Sequence, residues 1–332
     1  MTDGRHPASP AAGPPDGLKL SILAWPQNTD WASFEHAARR VDELGYDALW
    51  TWDHLYPIVG SWQGPIFEGW MTLATWAEVT KRVPLGLMVG ANTFRNPALV
   101  AKMATTLDHA SGGRAVLGIG GAWFETEHTA FGLPYGHSPG ERLRWLDEAV
   151  RIMRGMLDGT QPSGERYYAA QRVRNDPPPL QRRLPLLIGG GGERRTLRTV
   201  AKYADIWNVG GDLEKVSRKD GVLRRHCSDV GRDHTEIERT LGQPVWIVRD
   251  SLEEARSVAA EHAKHHPGWR GPSPATPETL ARRFDCFWDL GFRHIYFDYA
   301  APWDEETLVR LIRDVKPLIL ERAGVAARVG TA

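Results

Sequence analysis

Short apolar runs alternate with helical patterns along most of the chain. The apolar runs predict eight β-strands, at Leu18–Ala24, Tyr46–Trp50, Pro84–Gly90, Arg114–Gly120, Leu184–Gly189, Asp205–Val209, Pro244–Arg249 and His294–Asp298. Between them, apolar residues at helical spacing predict helices at Trp31–Leu44, Pro97–Ala110, Pro139–Leu157, Glu193–Tyr203 and Asp304–Leu320. Asp30 is the predicted N-cap of the first helix and Gly45 its C-cap. Most strands are almost continuously apolar, which is typical of strands buried on both faces.

This alternation favours parallel strands, because each parallel pair needs a crossover, usually a helix. The length of 332 residues suits an α/β fold of the (β/α)8 TIM-barrel type with insertions. A doubly wound open sheet is the alternative, but no G-x-G-x-x-G motif follows the first strand. Two long insertions, Leu55–Arg82 after strand two and Asp158–Arg183 before strand five, are expected to cover or shape a site.

The predicted domain organisation is one barrel over residues 18–322 between two tails. The stretch at 1–17 is rich in Pro, Ala and Gly and lacks the apolar core of a signal peptide, so it is interpreted as a flexible tail. Residues 323–332 form the predicted C-terminal tail. No linker that would divide the barrel is visible.

The charge balance narrows the possible partners. Basic and acidic residues both number 41, so no net charge favours nucleic acid or a membrane surface. No apolar run approaches the ~18 residues of a membrane span. The two cysteines fit neither a disulfide framework nor a cysteine-rich zinc site. A cytoplasmic location is the default expectation, with a small organic molecule as the partner.

Large aromatic residues lie at the ends of several predicted strands. Trp25 follows strand one, Trp52 strand two and Trp123 strand four, while Trp207 and Trp246 belong to strands six and seven. In a TIM barrel the active site lies at the C-terminal ends of the strands. We therefore predict a pocket there for a flat organic ring. The alternative for any single tryptophan is that it fills the barrel interior.

Four consecutive glycines, Gly189–Gly192, end the fifth strand and let the backbone approach a ligand closely. The next helix is expected to offer its free N–H groups, with Arg194, Arg195 and the Thr196 hydroxyl, to a phosphate. The alternative is a flexible turn. In the commonest barrel pattern the phosphate lies after strands seven and eight, so a site after strand five is unusual.

Asp53 and His54 form the best acid/base candidate. A histidine exchanges protons near neutrality, and a neighbouring carboxylate can orient it. Their position at the end of strand two favours a catalytic role over that of surface residues. His262, His265 and His266 have helical spacing, but no acidic or cysteine partner in register accompanies them. No metal is therefore predicted.

Four segments resemble the luciferase-like flavin and deazaflavin oxidoreductases, and within them the branch that depends on coenzyme F420. They are Ala48–His54 (ALWTWDH), Gly90–Met103 (GANTFRNPALVAKM), Thr106–Trp123 (TLDHASGGRAVLGIGGAW) and Leu187–Asn208 (LIGGGGERRTLRTVAKYADIWN). The segments run through nearly the whole barrel. They are specific for the superfamily and less specific for F420 over FMN.

The resemblance implies where the cofactor would lie. A non-proline cis peptide bond near Val89 and Gly90 would form a bulge behind the central ring. Cofactor contacts would come from the ends of strands three and four, namely Val89, Gly90, Ala91, Asn92, Gly120 and Gly121. Gly189–Gly192 with Arg194–Thr196 would form the phosphate loop, and Asp53 and His54 the polar pair near the ring.

One position departs from the family's sugar-phosphate dehydrogenases. They carry a glutamate base just after the strand-four glycines, where this chain has Trp123. Oxidation of glucose 6-phosphate by that residue is therefore not expected. An aromatic wall suits a larger or more apolar substrate.

Three functional hypotheses follow. The first is an F420-dependent oxidoreductase in which a hydride passes between cofactor and organic substrate. His54 would donate or accept the coupled proton, or stabilise charge on the pyrimidine edge of the cofactor, and Asp53 would orient His54. Trp52 and Trp123 would form the wall on the substrate side. The second is an FMN-dependent monooxygenase supplied by a separate reductase. The third is a barrel that binds flavin or deazaflavin without catalysis. The resemblance also implies a homodimer, formed through the helices beside strands two and three.

Overall fold

The computed structural model describes residues 17–324. Its strands are β1 Lys19–Ala24, β2 Ala48–Thr51, β3 Leu85–Leu87, β4 Gly90–Ala91, β5 Ala115–Gly120, β6 Leu186–Gly189, β7 Ile206–Val209, β8 Glu238–Gln243, β9 Trp246–Val248, β10 Ser273–Ala275 and β11 His294–Tyr299. Its α-helices are α1 Trp31–Leu44, α2 Gly69–Val79, α3 Pro97–Ala110, α4 Glu125–Phe131, α5 Pro139–Leu157, α6 Thr196–Tyr203, α7 Leu213–Asp229, α8 Leu252–Ala263, α9 Pro277–Arg282, α10 Asp285–Asp289, α11 Glu305–Arg310 and α12 Lys316–Arg322. A 3-10 turn covers His234–Glu236, and a π-helical turn, Leu311–Val315, joins α11 to α12.

The strands close into an eight-position parallel barrel. Around the ring, β1 pairs with β2, β2 with β3, β3 with β5, and then β6, β7, β8 and β11 follow until β11 pairs with β1. Strand β4 continues the third position beyond β3 and also pairs with β5. The predicted (β/α)8 TIM barrel is therefore confirmed. Most of the predicted tails, 1–17 and 323–332, lies outside the described residues.

The prediction for the seventh barrel strand was wrong. That position is taken by β8, whereas the predicted run Pro244–Arg249 contains β9, which pairs only with β10 in a separate two-stranded sheet. The sequence of β8, ERTLGQ, is mostly polar. Its Thr240 hydroxyl accepts a hydrogen bond from the Asn208 amide, and Arg239 forms an ion pair with Asp220 of α7. The hydrogen-bonding groups of these polar residues are thus satisfied by partners elsewhere in the chain. Because the strand has no apolar run, the hydrophobic pattern did not predict it.

The helices agree more closely with their prediction. Helix α1 begins and ends as predicted: Asp30 accepts the Ser33 N–H, and Gly45 has a φ of 82°. Helix α6 begins at Thr196, three residues later than expected, which lengthens the glycine loop. The first insertion contains α2, whereas residues 158–183 contain neither helix nor strand. Within residues 17–324, no helix combines the length and apolar character needed to cross a membrane.

Two apolar clusters divide the barrel wall. The outer cluster lies between strands and helices and includes Leu20, Leu117 and Phe297. The inner cluster fills the barrel and consists of Leu23, Trp25, Ala48, Trp50, Trp52, Met88, Val116, Leu187, Ile206, Val245 and Ala300. Because successive strand residues point to opposite faces, a shift of one position decides whether a side chain meets the helices or the barrel interior.

Candidate active site at the barrel mouth

A bulge separates β3 from β4 at the mouth of the barrel. Its non-proline cis peptide bond joins Met88 to Val89, one bond before the expected position near Val89 and Gly90. A Cβ atom on Gly120 would lie 2.7 Å from Val89 Cγ2, and one on Gly189 would lie 2.8 Å from Val89 Cγ1. Both positions therefore lack a side chain because the Val89 isopropyl group occupies the space. Gly121 is explained in the same way by Leu143, whose Cδ2 would lie 2.8 Å from its Cβ.

This packing predicts that Gly120→Ala destabilises the protein by about 1–3 kcal/mol, the usual cost of an overpacked site. Truncating the obstacle in the Gly120→Ala/Val89→Ala double variant should recover much of that loss. Gly210→Ala is the control, since a Cβ there would meet nothing within 4 Å. Urea unfolding of the three variants gives the comparison. Equal losses in the single and double variants would contradict the packing explanation.

Asp53 fastens the bulge to strand β2. Its Oδ2 accepts hydrogen bonds from the Ala91 N–H at 2.9 Å and from Arg95 Nη1 at 2.8 Å. Oδ1 is buried without a hydrogen-bond partner among the described residues. Burial raises the pKa of Asp53, and the Arg95 guanidinium opposes that shift. Arg95 also pairs with Glu68 at 2.5 Å. Asp53 is therefore a buried positioning group.

His54 is oriented by Glu127, not by Asp53 as the sequence suggested. Its Nδ1 lies 3.0 Å from Glu127 Oε1, and Glu127 Oε2 accepts the Leu55 N–H at 2.8 Å. Asp53 and His54 follow β2 as neighbours, but their side chains have different partners: Asp53 contacts Ala91 and Arg95, whereas His54 contacts Glu127. Glu127 is almost completely buried, while the His54 side chain is 13% exposed. A carboxylate therefore lies beside His54, although this chain has Trp123 at the position where the sugar-phosphate dehydrogenases carry their glutamate.

Ala91 and Asn92, the predicted cofactor contacts, lie at and just after the end of the bulged strand. The Ala91 N–H is used by Asp53, and the Asn92 N–H donates to the Gly120 carbonyl at 3.1 Å. The Asn92 side-chain amide donates to the Tyr168 hydroxyl at 2.9 Å. Burial raises the pKa of Tyr168 to about 12, so the phenol is neutral near pH 7. Tyr168 belongs to the second insertion, which thus contacts the site.

The five predicted pocket tryptophans separate into two groups. Trp25 and Trp52 lie in the inner cluster with ring centroids 5.0 Å apart, and Trp123 lies at the mouth, 5.5 Å from the His54 ring. Trp207 is fully buried in the outer cluster, where its indole N–H donates to the Gly190 carbonyl. Trp246 packs against the outer cluster from β9, beneath the Arg283 guanidinium. The prediction that these two line the pocket was therefore wrong.

The glycine loop follows β6 at the same end of the barrel as His54, because both follow the C-terminal ends of parallel strands. Gly190 has a φ of 124°, which side chains rarely adopt. A Cβ atom on Gly192 would lie 2.6 Å from the Thr196 hydroxyl oxygen, and one on Gly191 would lie 3.8 Å from Lys219 Nζ. Arg194 and Arg195 are exposed. The Thr196 hydroxyl and the Lys219 ammonium thus lie beside glycine backbone that has no side chains.

Lys219 was missed by the sequence interpretation because it belongs to α7, beyond the next strand. Its ammonium pairs with Glu193 at 3.1 Å, and this contact lowers the pKa of Glu193. His226 of the same helix lies 2.7 Å from the Glu193 carbonyl oxygen. Helix α7 therefore braces the glycine loop and supplies a cation that no local motif indicates.

The barrel interior holds a further acid, Asp298, near the end of β11. Asp298 is partly exposed, and desolvation of its carboxyl in the barrel raises the pKa of that group to about 7. Its neighbour on the same face, Tyr296, also has a raised pKa because of burial. Alternation along β11 was the signal that could have identified both residues as facing inward.

His262, near the end of α8, and His266, just beyond it, lie on one side of the mouth. His262 Nε2 lies 3.2 Å from the Ala300 carbonyl oxygen, and His266 Nε2 lies 2.8 Å from that of Ala301. The His266 ring meets Trp25 edge-on. Burial lowers the pKa of His262 to about 4, so it is neutral near pH 7. In the described part of the chain, no group of three or more His, Cys, Asp or Glu residues is placed to hold a metal ion.

The sequence matches a known protein family along most of its length. The family model described as luciferase-like monooxygenase matches residues 7–305. An F420-dependent glucose-6-phosphate dehydrogenase of Amycolatopsis mediterranei is 32% identical over 320 residues, covering 84% of this chain and 92% of the relative. An uncharacterised protein of Mycobacterium tuberculosis is 32% identical over 145 residues, covering 42% of this chain. The match spans about half the length of that relative, 49%.

Solved structures of the same fold include both dehydrogenases and monooxygenases. An F420-dependent secondary alcohol dehydrogenase, in complex with an F420-acetone adduct, has a TM-score of 0.76 at 16% identity, covering 91% of this chain and 99% of that one. A monooxygenase from Streptomyces bottropensis has a TM-score of 0.73 at 19% identity, covering 92% and 99%. At these identities the similarity establishes the fold alone.

Proposed function

The chain belongs to the luciferase-like monooxygenase family, and on that premise we propose that it is a coenzyme F420-dependent oxidoreductase. It would transfer a hydride between the deazaflavin and an organic substrate at the barrel mouth. The observation that carries the proposal is the glycine loop with its bordering Thr196 and Lys219, at the same end of the barrel as His54. The relative from Amycolatopsis mediterranei, which is named for F420, supports the choice of cofactor.

The residues present fit the anionic tail of such a cofactor. Side chains on Gly190, Gly191 and Gly192 would be strained or would narrow the space between the loop, Thr196 and Lys219. Exposed backbone N–H groups and a helix N-terminus bind phosphate oxygens well. We infer that Lys219 neutralises part of the phosphate charge, with Arg194 and Arg195 adding to it from the exposed side of the loop.

The ring would lie against the bulge formed by β3 and β4. When bound, F420 supplies the carbon that carries the hydride, which no side chain can do. Asp53 fixes the bulge through the Ala91 N–H, while Glu127 fixes the His54 ring through Nδ1. The remaining nitrogen, Nε2 of His54, is then the atom that accepts or donates the proton of the substrate. Trp52 and Trp25 exclude water from the interior side.

Titration of the purified protein with oxidised F420 and with FMN tests the proposal. We expect F420 to bind and FMN to bind at least tenfold more weakly. Lys219→Met should weaken F420 binding about tenfold, because it removes one charge-assisted contact to phosphate. The matched control is Lys202→Met, a cation of α6 that pairs with Asp147. If the protein binds FMN but not F420, the result would favour the monooxygenase that is supplied by a separate reductase. Tight F420 binding without turnover of any substrate would favour the non-catalytic barrel.

We also propose that the protein is a cytoplasmic homodimer, formed through α2 and α3. Two large apolar side chains support this surface: Met71 of α2 is 70% exposed and Leu99 of α3 is 53% exposed. Helices α2 and α3 pack beside each other against the strands β3 and β5. Sedimentation of the wild-type protein measures the oligomeric state directly.

A further inference from the structure

Five aromatic residues form a partly exposed surface beside His54, here called the aromatic rim: Tyr56, Trp62, Trp123, Phe124 and Phe131. Tyr56 lies between the Trp62 and Phe131 rings, with centroid distances of 5.5 and 5.6 Å. Trp123 stacks on Phe124 at 5.3 Å and meets the His54 ring at 5.5 Å. Each contact joins rings at the separations of a favourable aromatic pair.

The aromatic rim is held in place by the group that orients the catalytic candidate. Glu127 lies in α4 and bonds both His54 Nδ1 and the Leu55 N–H of the opposite loop. The Tyr135 hydroxyl donates to the Trp123 carbonyl at 2.7 Å. The two loops that carry the rim are therefore fixed to each other and to His54. The rim is a preformed surface, continuous with the candidate active site.

Exposure of these rings is unusual for residues packed so closely. Trp123 is 60% exposed, Phe131 53% and Trp62 49%. Large apolar side chains grouped at one surface mark binding sites more often than single exposed ones do. Because Trp123 and Phe124 contact the His54 ring, the ligand that the rim suits is the molecule that reacts there.

The charge of the two rim segments excludes one class of ligand. Neither residues 55–80 nor residues 115–141 contain a lysine or arginine, whereas both contain glutamates. The arginines that border these segments in sequence have other partners: Arg82 donates to the Asp42 carbonyl, Arg114 donates to the Val83 carbonyl, and Arg142 stacks over the Tyr135 ring at 3.8 Å. Arg95, which lies between the two segments, pairs with Asp53 and Glu68. A phosphate ester placed at this rim would meet aromatic faces and carboxylates instead of cations.

We propose that the aromatic rim binds the non-reacting part of an uncharged, flat apolar substrate, and that it disfavours phosphate esters. This inference rests on the proposed function only for the reaction, not for the binding. It separates this chain from the relative named for glucose 6-phosphate, a polar dianion. The reacting group is the one that exchanges a hydride with the cofactor in the reaction proposed above.

A matched pair of probes tests the proposal without requiring turnover. The purified full-length protein is titrated with 2-naphthol and with 2-naphthyl phosphate, and binding is measured by calorimetry in the presence and absence of F420. We expect 2-naphthol to bind at least tenfold more tightly than its phosphate ester. Trp62→Ala and Phe131→Ala should each weaken 2-naphthol binding about threefold to tenfold, the loss of one aromatic contact. Leu252→Ala, which truncates an exposed apolar residue at the start of α8, is the control.

The outcomes separate this inference from the proposed function. Equal or tighter binding of 2-naphthyl phosphate would overturn the proposed preference. Absence of 2-naphthol binding, or binding unaffected in both rim variants, would overturn the aromatic rim as a substrate surface even if F420 binds normally. Binding of 2-naphthol with failure of F420 to bind would leave the rim in place and remove the proposed cofactor. A change of oligomeric state in the rim variants alone would assign the rings to contacts between copies, against the proposal.

Discussion

Replacing His54 with alanine is expected to lower kcat for F420-dependent turnover by about a hundredfold to ten-thousandfold, the usual range for loss of a general acid or base. The reason is geometric: His54 is the partly exposed imidazole at the mouth, and Glu127 fixes it through Nδ1. The affinity for F420 should change little, because the proposed site for the cofactor's anionic tail is the glycine loop and not His54. Steady-state kinetics and cofactor titration of one preparation measure both effects.

Glu127→Gln distinguishes positioning from direct participation. Glutamine retains an oxygen for the Leu55 N–H but no longer carries the charge that favours one orientation of His54. We expect a smaller fall, about tenfold in kcat, with KM nearly unchanged. The control is His137→Ala, which removes an exposed histidine two residues before α5. Undiminished turnover in His54→Ala, with a true substrate in hand, would remove His54 from the mechanism.

The sequence could predict the barrel because its signals are local. Apolar runs and helix caps depend on neighbouring residues, and Asp30, Gly45 and the limits of α1 were predicted without error. Strand β8 could not be predicted, because its polar residues are satisfied by partners far along the chain. Arg239, for example, pairs with Asp220 nineteen positions earlier. Its sequence shows no apolar run, although the strand is part of the barrel.

The candidate site shows the same division. The position of His54 at the end of a strand could be predicted, but its carboxylate partner could not, because Glu127 lies 73 positions away. The sequence suggested the adjacent Asp53 as the partner of His54, but in the structure Asp53 pairs with Arg95. Trp207 was misplaced because its strand alternates, and a shift of one residue exchanges barrel interior for outer cluster. Contacts of high sequence separation thus decide which candidates meet.

Arg95→Met is expected to lower the free energy of unfolding by about 3–5 kcal/mol at pH 8, because it leaves the buried Asp53 carboxylate without its partner. Burial already raises the pKa of Asp53, so the folded protein holds this proton to higher pH than the unfolded chain does. Stability therefore falls as pH rises from the unfolded pKa to the folded one. Loss of the Arg95 guanidinium raises the pKa of Asp53 in the folded protein further. The pH range over which stability falls therefore extends to higher pH. Urea unfolding at pH 5 and pH 8 should show the greater loss at pH 8.

The double variant Asp53→Asn/Arg95→Met isolates the charge as the cause. An asparagine oxygen can still accept the Ala91 N–H, which keeps the bulge fastened, but it carries no proton to titrate. The double variant should therefore lack the additional loss of stability that Arg95→Met shows at pH 8, and its free energy of unfolding should exceed that of Arg95→Met at that pH. An equal loss of unfolding free energy in Arg95→Met at pH 5 and pH 8 would contradict a role for the Asp53 charge. The guanidinium would then act through packing against Phe94, whose ring centroid lies 5.9 Å from Arg95 Cζ.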